Sequence, residues 1–271
     1  MADTADLHMH SYYSDGVESP QRLAAMAAEA GLKAASLTDH DSMNGWPEFQ
    51  AACRNEGVEP IPGVELSVQF GEREAHILGY LVRPESAVLV RSLEEYQQER
   101  YERAREMTEK LNGLGVPLVF DAVLEVAGRG AIGRPHVAEA LFQSGLVRTY
   151  DEAFRRYIRI GCPAYVPKRR ATVRDAIELI HEADGVALLA HPSRFYSEED
   201  VSLLVGFGLD GVEVTHPKHR PERERFFKEM AAKKGLLVSG GSDYHGGGRG
   251  DAQVGSPRVD YAFIDAMRKR S

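Results

Sequence analysis

A chain of 271 residues, 43% hydrophobic and 27% charged, is long enough for one α/β barrel carrying an insertion and has an ordinary globular composition. Its formal net charge of −8 argues against broad electrostatic binding to long nucleic acid or to an anionic membrane. It leaves room for a small anion at a site whose sign metal ions reverse. No apolar run is long enough to span a bilayer, and no basic-then-apolar leader is visible. Cys53 and Cys162 lack metal-ligand spacing, so a cytoplasmic chain with reduced thiols is expected.

The first predicted element is a strand over about 4–9. Side chains repeat every second residue there, so His8 and His10 share one face while Leu7 and Met9 turn into a core. Two incidental histidines on a half-buried strand would look the same. Ser19-Pro20 marks a helix start, Leu23, Met26, Ala27 and Ala30 give its apolar stripe, and Gly31 ends it. A buried strand, 34–38, runs into Thr38-Asp39-His40-Asp41. A helix over about 46–55 stops at Gly57. Two strands follow, 58–66 with Glu65 and 74–82 with His76.

The middle of the chain departs from this alternation. A long charged helix, 92–112, carries Tyr96, Ala104, Met107 and Leu111 on one face, and further helices are expected near 119–127, 134–144 and 151–157. Residues 85–170 read as a helical insertion, with the barrel built from 1–84 and 171–271. A helix over 172–183 with Val173, Ala176, Ile177 and Ile180 restores the rhythm. Strands at 185–190, 209–214 and 236–240 then alternate with helices at 198–207 and 221–234, and a short strand and helix close the chain. Such alternation implies a parallel sheet with helices outside, whose chemistry gathers at strand ends.

His8, His10, Asp15, His40, Glu65, His76, His191, Asp243 and His245 lie at the ends of six of these strands or in the loops beyond. Singly, each is compatible with a hydrogen-bonded structural role. Buried together without ions they would suffer desolvation and mutual repulsion, and divalent ions would turn that cost into coordination. Mixed imidazole and carboxylate donors suit zinc, manganese or iron, and the lack of thiolates argues against a structural zinc knot. Within the insertion, Gly133-Arg134-Pro135-His136-Val137 sets a guanidinium and an imidazole at a helix start, where free N–H groups favour an anion. Ala164-Tyr165-Val166-Pro167-Lys168-Arg169-Arg170 adds a basic loop from which Lys168 could reach the same anion; a plain surface loop fits equally. His216 and His219 follow a predicted strand end; His216 could line the pocket near a base or phosphate, support the site from behind, or lie on the surface. His181 reads as structural. Tyr12, Tyr13 and Trp46 could stack on a base or simply pack, and Asp39 or Asp41 could orient a ligand imidazole.

Taken in order, His8-Met-His10, Asp15-Gly16, Thr38-Asp39-His40-Asp41, Gly63-Val64-Glu65, His76, Ala190-His191-Pro192 and Gly241-Ser242-Asp243-Tyr244-His245 resemble the motifs of the PHP (polymerase and histidinol phosphatase) family over nearly the whole chain outside the insertion. The resemblance implies a distorted (β/α)7 barrel with three divalent ions. One would sit on His8, His10, Glu65 and Asp243, a second on Glu65, His76 and His191, and a third on Asp15, His40 and His245. Family members often carry histidine where Asp15 stands, and the carboxylate favours a harder ion such as manganese or iron(II). It further implies phosphoester hydrolysis by a metal-bridged hydroxide. The Gly-Arg-Pro-His and Tyr-Val-Pro-Lys segments resemble the subgroup acting on nucleoside 3′,5′-bisphosphates and on the 5′ ends of short RNA. There the arginine and histidine hold the phosphate that is not cleaved. Two other readings stay open: a histidinol-phosphate or other small-metabolite phosphatase, and a non-catalytic PHP module that binds a partner.

Overall fold

The computed structural model describes residues 3–168, 171–193, 195–246 and 252–271; Arg169 and Arg170 of the basic loop lie outside them. Among the described residues the strands are β1 (Thr4–Asp6), β2 (Ala34–Leu37), β3 (Glu59–Phe70), β4 (Arg73–Tyr80), β5 (Val186–Leu189), β6 (Gly211–Thr215), β7 (Leu237–Gly240) and β8 (Val259–Asp260). They form one sheet in the order β7-β6-β5-β4-β3-β2-β1-β8. The segments beyond β1 and β7 bring its two sides together. Leu7 N–H donates to Gly240 O at 3.2 Å, Asp243 N–H to His8 O at 2.8 Å, and Met9 pairs in parallel with Tyr244. The outcome is a nearly closed, distorted β/α barrel, with β8 running antiparallel along β1.

The sheet is mixed where alternation alone predicts a parallel one. β3 pairs antiparallel with β4, and β4 antiparallel with β5. Only Gly71 and Glu72 separate β3 from β4, and so short a connection can make only a hairpin, since a parallel crossover needs a dozen residues or more. The reversal has a use. β4 starts at the rim where the other strands finish, so His76, its fourth residue, opposes Ser67 of β3. β1 is shorter than expected because the carboxylate of Asp6 accepts from the N–H groups of His8 (3.2 Å), Ser242 (2.9 Å) and Gly255 (2.8 Å), supplying acceptors that a continued ladder would otherwise give.

The helices follow local chemistry closely. α1 (Pro20–Glu29) is capped by Ser19 Oγ with proline in its first turn, and α2 (Trp46–Glu56) ends on Gly57 in the left-handed region (φ 73°). α7 (Val173–Glu182) opens with a capping box from Thr172 and Asp175 and buries Val173, Ala176, Ile177 and Ile180. α8 (Glu198–Gly206) and α9 (Pro221–Lys234) flank β6, and α10 (Ala262–Arg268) closes the chain.

Between β4 and α7 lie α3 (Ala87–Gly113), α4 (Phe120–Ala127), α5 (Arg134–Gln143) and α6 (Tyr150–Ala153). The helix predicted at 151–157 is four residues of α-helix followed by a π-helical turn, Phe154–Ile158. α3 ties two cores together. Leu89, Leu93 and Tyr96 pack into the barrel core with Ile77 and Ile180, whereas Met107 and Leu111 pack with Val137, Leu141 and Ile158 in a separate helical core. No helix among the described residues is long and apolar enough to cross a membrane.

Candidate metal centre

The rim beyond the ends of β1, β2, β5 and β7, with the middle of the β3–β4 hairpin, collects all nine residues singled out in the sequence; β3 runs on to Phe70, so Glu65 lies within it and not at the strand end expected near 66. His8 and His10 do point the same way: their Nε2 atoms lie 3.1 Å apart, while Leu7 and Met9 are fully buried in cores on the other side. Glu65, fully buried, is the hub. Its Oε2 sits 3.2 Å from Nε2 of both His8 and His10 and 3.1 Å from His40 Nδ1. Its Oε1 sits 2.8 Å from His76 Nδ1 and 2.9 Å from His191 Nε2. Asp243 Oδ1 lies 3.5 Å from His8 and 3.4 Å from His10, and Asp15 Oδ1 3.2 Å from His245 Nε2 and 3.8 Å from His40 Nε2.

Ligand atoms lying within 4.8 Å of one another form four overlapping groups: His10-Asp15-His40-His245, His8-His10-Asp243, His8-Glu65-His191 and His40-Glu65-His76. The geometry thus draws His10 into the company of Asp15, His40 and His245, and His40 toward Glu65. Imidazole and carboxylate donors without thiolate form a set suited to borderline or hard divalent ions. His40 Nδ1 is a further sign of fit, being buried and lacking any hydrogen-bond partner although a carboxylate oxygen is 3.1 Å away.

The electrostatics say the same. Burial opposes ionisation of each group, yet the surrounding imidazoles hold Glu65, Asp15 and Asp243 well below the usual carboxylate range. Burial would lower His10, but Asp243 and Glu65 outweigh it and hold the ring up at about 10. Burial does push His40 down, with His10 and His76 adding to it. Without ions the carboxylates draw protons onto some imidazoles, and cations of higher charge density are the natural replacement. Two of the nine, His191 (φ 27°) and Asp243 (φ 51°), have backbones in the left-handed region, a strain common where a site dictates side-chain direction.

Several supporting residues escaped the sequence reading. Glu213, fully buried in β6, faces His8 Nδ1 at 2.9 Å and accepts from the His191 backbone N–H at 2.6 Å, so one carboxylate orients the His8 ring and pins the backbone that carries His191. An acid between Val212 and Val214 in an apolar strand was the available signal. Asp39 and Asp41, considered as orienters of a ligand imidazole, contact none directly. Asp39 accepts from Ser11 and from Ser14 Oγ (2.6 Å), and Ser14 Oγ in turn lies 3.4 Å from His10 Nδ1. Asp41 instead pairs with Arg100 and Lys168. The loop turning Asp41 away (φ 50°) aims it at the insertion, which periodicity could not show.

Among the described residues, two cavities that share no lining residue adjoin the cluster. The smaller, about 130 Å³, lies between the cluster and the insertion. It meets the cluster at Asp15, His40 and His76 and is lined opposite by Arg100, Arg103, Arg134 and Lys168. Arg103 and Arg134 both pair with Glu74, while Arg100 and Lys168 pair with Asp41, so four cations face two carboxylates. Burial pushes Lys168 down to about 8 against the pull of Asp41. His136 is not among the lining residues: it is buried, and its Nδ1 accepts from Gly133 N–H at 2.9 Å, securing the start of α5. Arg100 and Arg103 lie within the long charged helix, where sequence periodicity gave no reason to separate them from solvated arginines.

The larger cavity, about 500 Å³, meets the cluster at Asp243 and His245 and includes His216 and Lys218. His216 accepts the Lys218 N–H on Nδ1, so its Nε2 carries the proton it donates to Asp243 Oδ2 at 3.2 Å. His219 contacts the Val214 carbonyl and the Ser193 N–H, and His181 pairs with Asp210; neither reaches the cluster. Tyr12 and Tyr13 hydrogen-bond Glu48, and Trp46 is buried in the core beside α2.

The family profile described as "PHP domain" matches residues 6–160. A 3′,5′-nucleoside bisphosphate phosphatase of Chromobacterium violaceum is 35% identical over 92% of this chain and 90% of its own length. A 5′-3′ exoribonuclease of Haemophilus influenzae is 34% identical over 90% and 91%. Among solved structures, a Bifidobacterium adolescentis protein described as a metal-dependent phosphoesterase superposes with a TM-score of 0.90 at 30% identity, covering 100% of this chain and 97% of that one. A Chromobacterium violaceum amidohydrolase, solved with bound sulfate and no metal, gives 0.85 at 34% identity, covering 94% and 91%.

Proposed function

The chain belongs to the PHP family of phosphoesterases, and on that premise we propose that it removes the 3′-phosphate from nucleoside 3′,5′-bisphosphates and trims the 5′ ends of short RNA. The observation that carries this reading is the juxtaposition of two unlike sites: a nine-residue imidazole–carboxylate cluster, and beside it a small cavity rich in guanidinium and ammonium groups. A substrate with two phosphates, one for each site, fits that pairing. The assignment to nucleotides is supported by relatives named for nucleoside bisphosphates and for RNA.

We assign three divalent ions, of manganese, iron or zinc, to the cluster. His8, His10, Glu65 and Asp243 would hold one, Glu65, His76 and His191 the second, and Asp15, His40 and His245 the third, with Glu65 shared. When bound, such ions lower the pKa of water and offset charge that develops on phosphoryl oxygens. The chain's own residues do the rest. Glu213 fixes His8 and His191, Ser14 and Asp39 fix His10, and His216 fixes Asp243. Arg134 and Lys168 grip the phosphate that stays on the product, His136 anchors the helix start from which Arg134 projects, and Arg100 and Arg103 hold Asp41 and Glu74 in check. The insertion, 85–170, thus selects the substrate, and the small cavity excludes bulky esters. Free thiols at Cys53 and Cys162 support a reducing, cytoplasmic setting.

Phosphate release from 3′,5′-bisphosphoadenosine and from histidinol phosphate, measured side by side with manganese present, tests the reading. Preference for the nucleotide by tenfold or more is the expected result; preference for histidinol phosphate would overturn it. His10→Ala and His191→Ala proteins that stay folded yet keep full activity would remove the cluster from the reaction.

A further inference from the structure

The larger cavity is not needed for a mononucleotide whose two phosphates occupy the cluster and the small basic cavity. It nevertheless opens directly onto the cluster, at Asp243 and His245. A third cavity of about 480 Å³ adjoins it. The two share Lys218, and the third is lined further by Phe195, Arg220 and Arg223. Together they make a path leading from the cluster that is separate from the insertion's cavity. Its cations are unevenly committed. Arg223 is pinned by the carbonyls of Ser193 and Tyr196, whereas the Lys218 side chain is 75% exposed and Arg220 is exposed. Phe195 presents a 60% exposed ring beside them, high for a phenylalanine.

Resting on the function proposed above, we propose that this path is the binding track for the RNA chain downstream of the scissile phosphate. The order of sites imposes that direction. With the terminal 5′-phosphate among Arg134 and Lys168 and the next phosphate at the cluster, whatever follows must leave past Asp243 and His245. Water adds across the P–O3′ bond: the 3′-oxygen takes a proton and departs with the first nucleotide, and the remaining chain keeps the phosphate at its new 5′ end. Lys218, 3.0 Å from Asp243 Oδ2, is long and exposed enough to turn from that carboxylate to the next phosphate. Phe195 offers a face for one base and Arg220 a charge for the phosphate beyond, the combination of stacking and backbone charge that single-strand binders use. Glu222 and Glu224 line the same two cavities, which confines the track to a few nucleotides and agrees with the overall negative charge.

Arg220 and Phe195 line the third cavity and are not members of the cluster, so a Phe195→Ala/Arg220→Ala protein isolates the track. Steady-state kinetics would be run on the full chain with manganese, using 3′,5′-bisphosphoadenosine and 5′-phosphorylated oligoadenylates of two to five residues. For the unaltered protein KM should fall about tenfold between the dinucleotide and the tetranucleotide, a reasonable return for one stacked base. In the double variant that gain should vanish, with kcat/KM for the bisphosphate within twofold of the unaltered value. The salt dependence of kcat/KM on the tetranucleotide should also lose about 0.7 from its logarithmic slope, for one phosphate contact removed. Hydrolysis of the bisphosphate with no benefit from length would overturn the track alone, as would a variant that slows both substrates equally. Failure of the unaltered protein on every nucleotide would instead overturn the function on which the track rests.

Discussion

Glu65 is the residue on which most of the site depends, because each of its oxygens faces more than one imidazole. Glu65→Gln keeps the shape but removes a charge that several rings share. It should abolish measurable phosphoesterase activity and lower the bound metal content, read by elemental analysis of the purified protein. Glu213 acts one step back from the cluster, through His8 and His191. Glu213→Gln should fold, still bind metal, and weaken that binding by about 10–100-fold, as loss of a carboxylate behind a ligand histidine typically does. Lys168 gives a pH-dependent counterpart. Its ammonium is held at about 8 by burial, so the positive charge proposed to grip the distal phosphate is present below that pH and lost above it. KM for the bisphosphate should therefore rise as pH passes 8, and a Lys168→Met protein should show a high KM that no longer varies there.

At the scale of elements, the β3–β4 hairpin and the β1–β7 seam set the geometry of the rim. Gly241 lies in the seam, where an added Cβ would fall 2.4 Å from the His8 backbone nitrogen and 2.6 Å from Asp6 Oδ1. Gly241→Ala must push apart the two segments that carry His8 and Asp243. A loss of a few kcal/mol in denaturant unfolding is expected, in line with overpacking costs of about 1–3 kcal/mol. The hairpin also carries Glu74, which joins the barrel to α3 and α5 through Arg103 and Arg134. Burial opposes its ionisation, but the two arginines hold it down to about 2, from an ordinary 4.5. A carboxyl depressed in this way contributes stability that is in full force above pH 4.5 and fades as pH falls toward 2. Acid unfolding of the native protein should accordingly be steeper over that interval than that of Glu74→Gln, which gives up the contribution at every pH.

Across the whole molecule, a compact barrel and a separate helical core meet over a charged seam, joined by the single long helix α3. The cluster draws together residues from β1, β2, β3, β4, β5 and β7 with their loops, so ions bound there should brace the barrel more than the insertion. Prolonged dialysis against a strong chelator should lower the barrel's melting temperature, and adding manganese back should restore it, since a ligand bound only by the folded state stabilises it by mass action. A melting curve indifferent to chelation would contradict ions bound at the cluster's centre.

The sequence by itself determined where most helices lie and which residue types could serve as ligands, although α3 begins at Ala87, earlier than its charged stripe suggests, and the helix expected at 151–157 is partly a π-turn. Caps such as Ser19, Thr172 and Gly57 act within a few residues of themselves, and the nine cluster residues announce themselves by chemical type, most of them in the loops just beyond strands. Side-chain alternation, a purely local property, was enough to pair His8 with His10. What only the tertiary structure decided depends on chain segments far apart in sequence: the reversal of β4, the closure of β1 on the loop after β7, and the partners of Glu213, Arg100 and Arg103. A buried arginine in a charged helix and an acid in an apolar strand look ordinary until folding shows which carboxylate or imidazole stands opposite. Hydrogen bonds and ion pairs across 22 to 205 residues of chain leave no periodic trace, because nothing local in the sequence records where their partner will be.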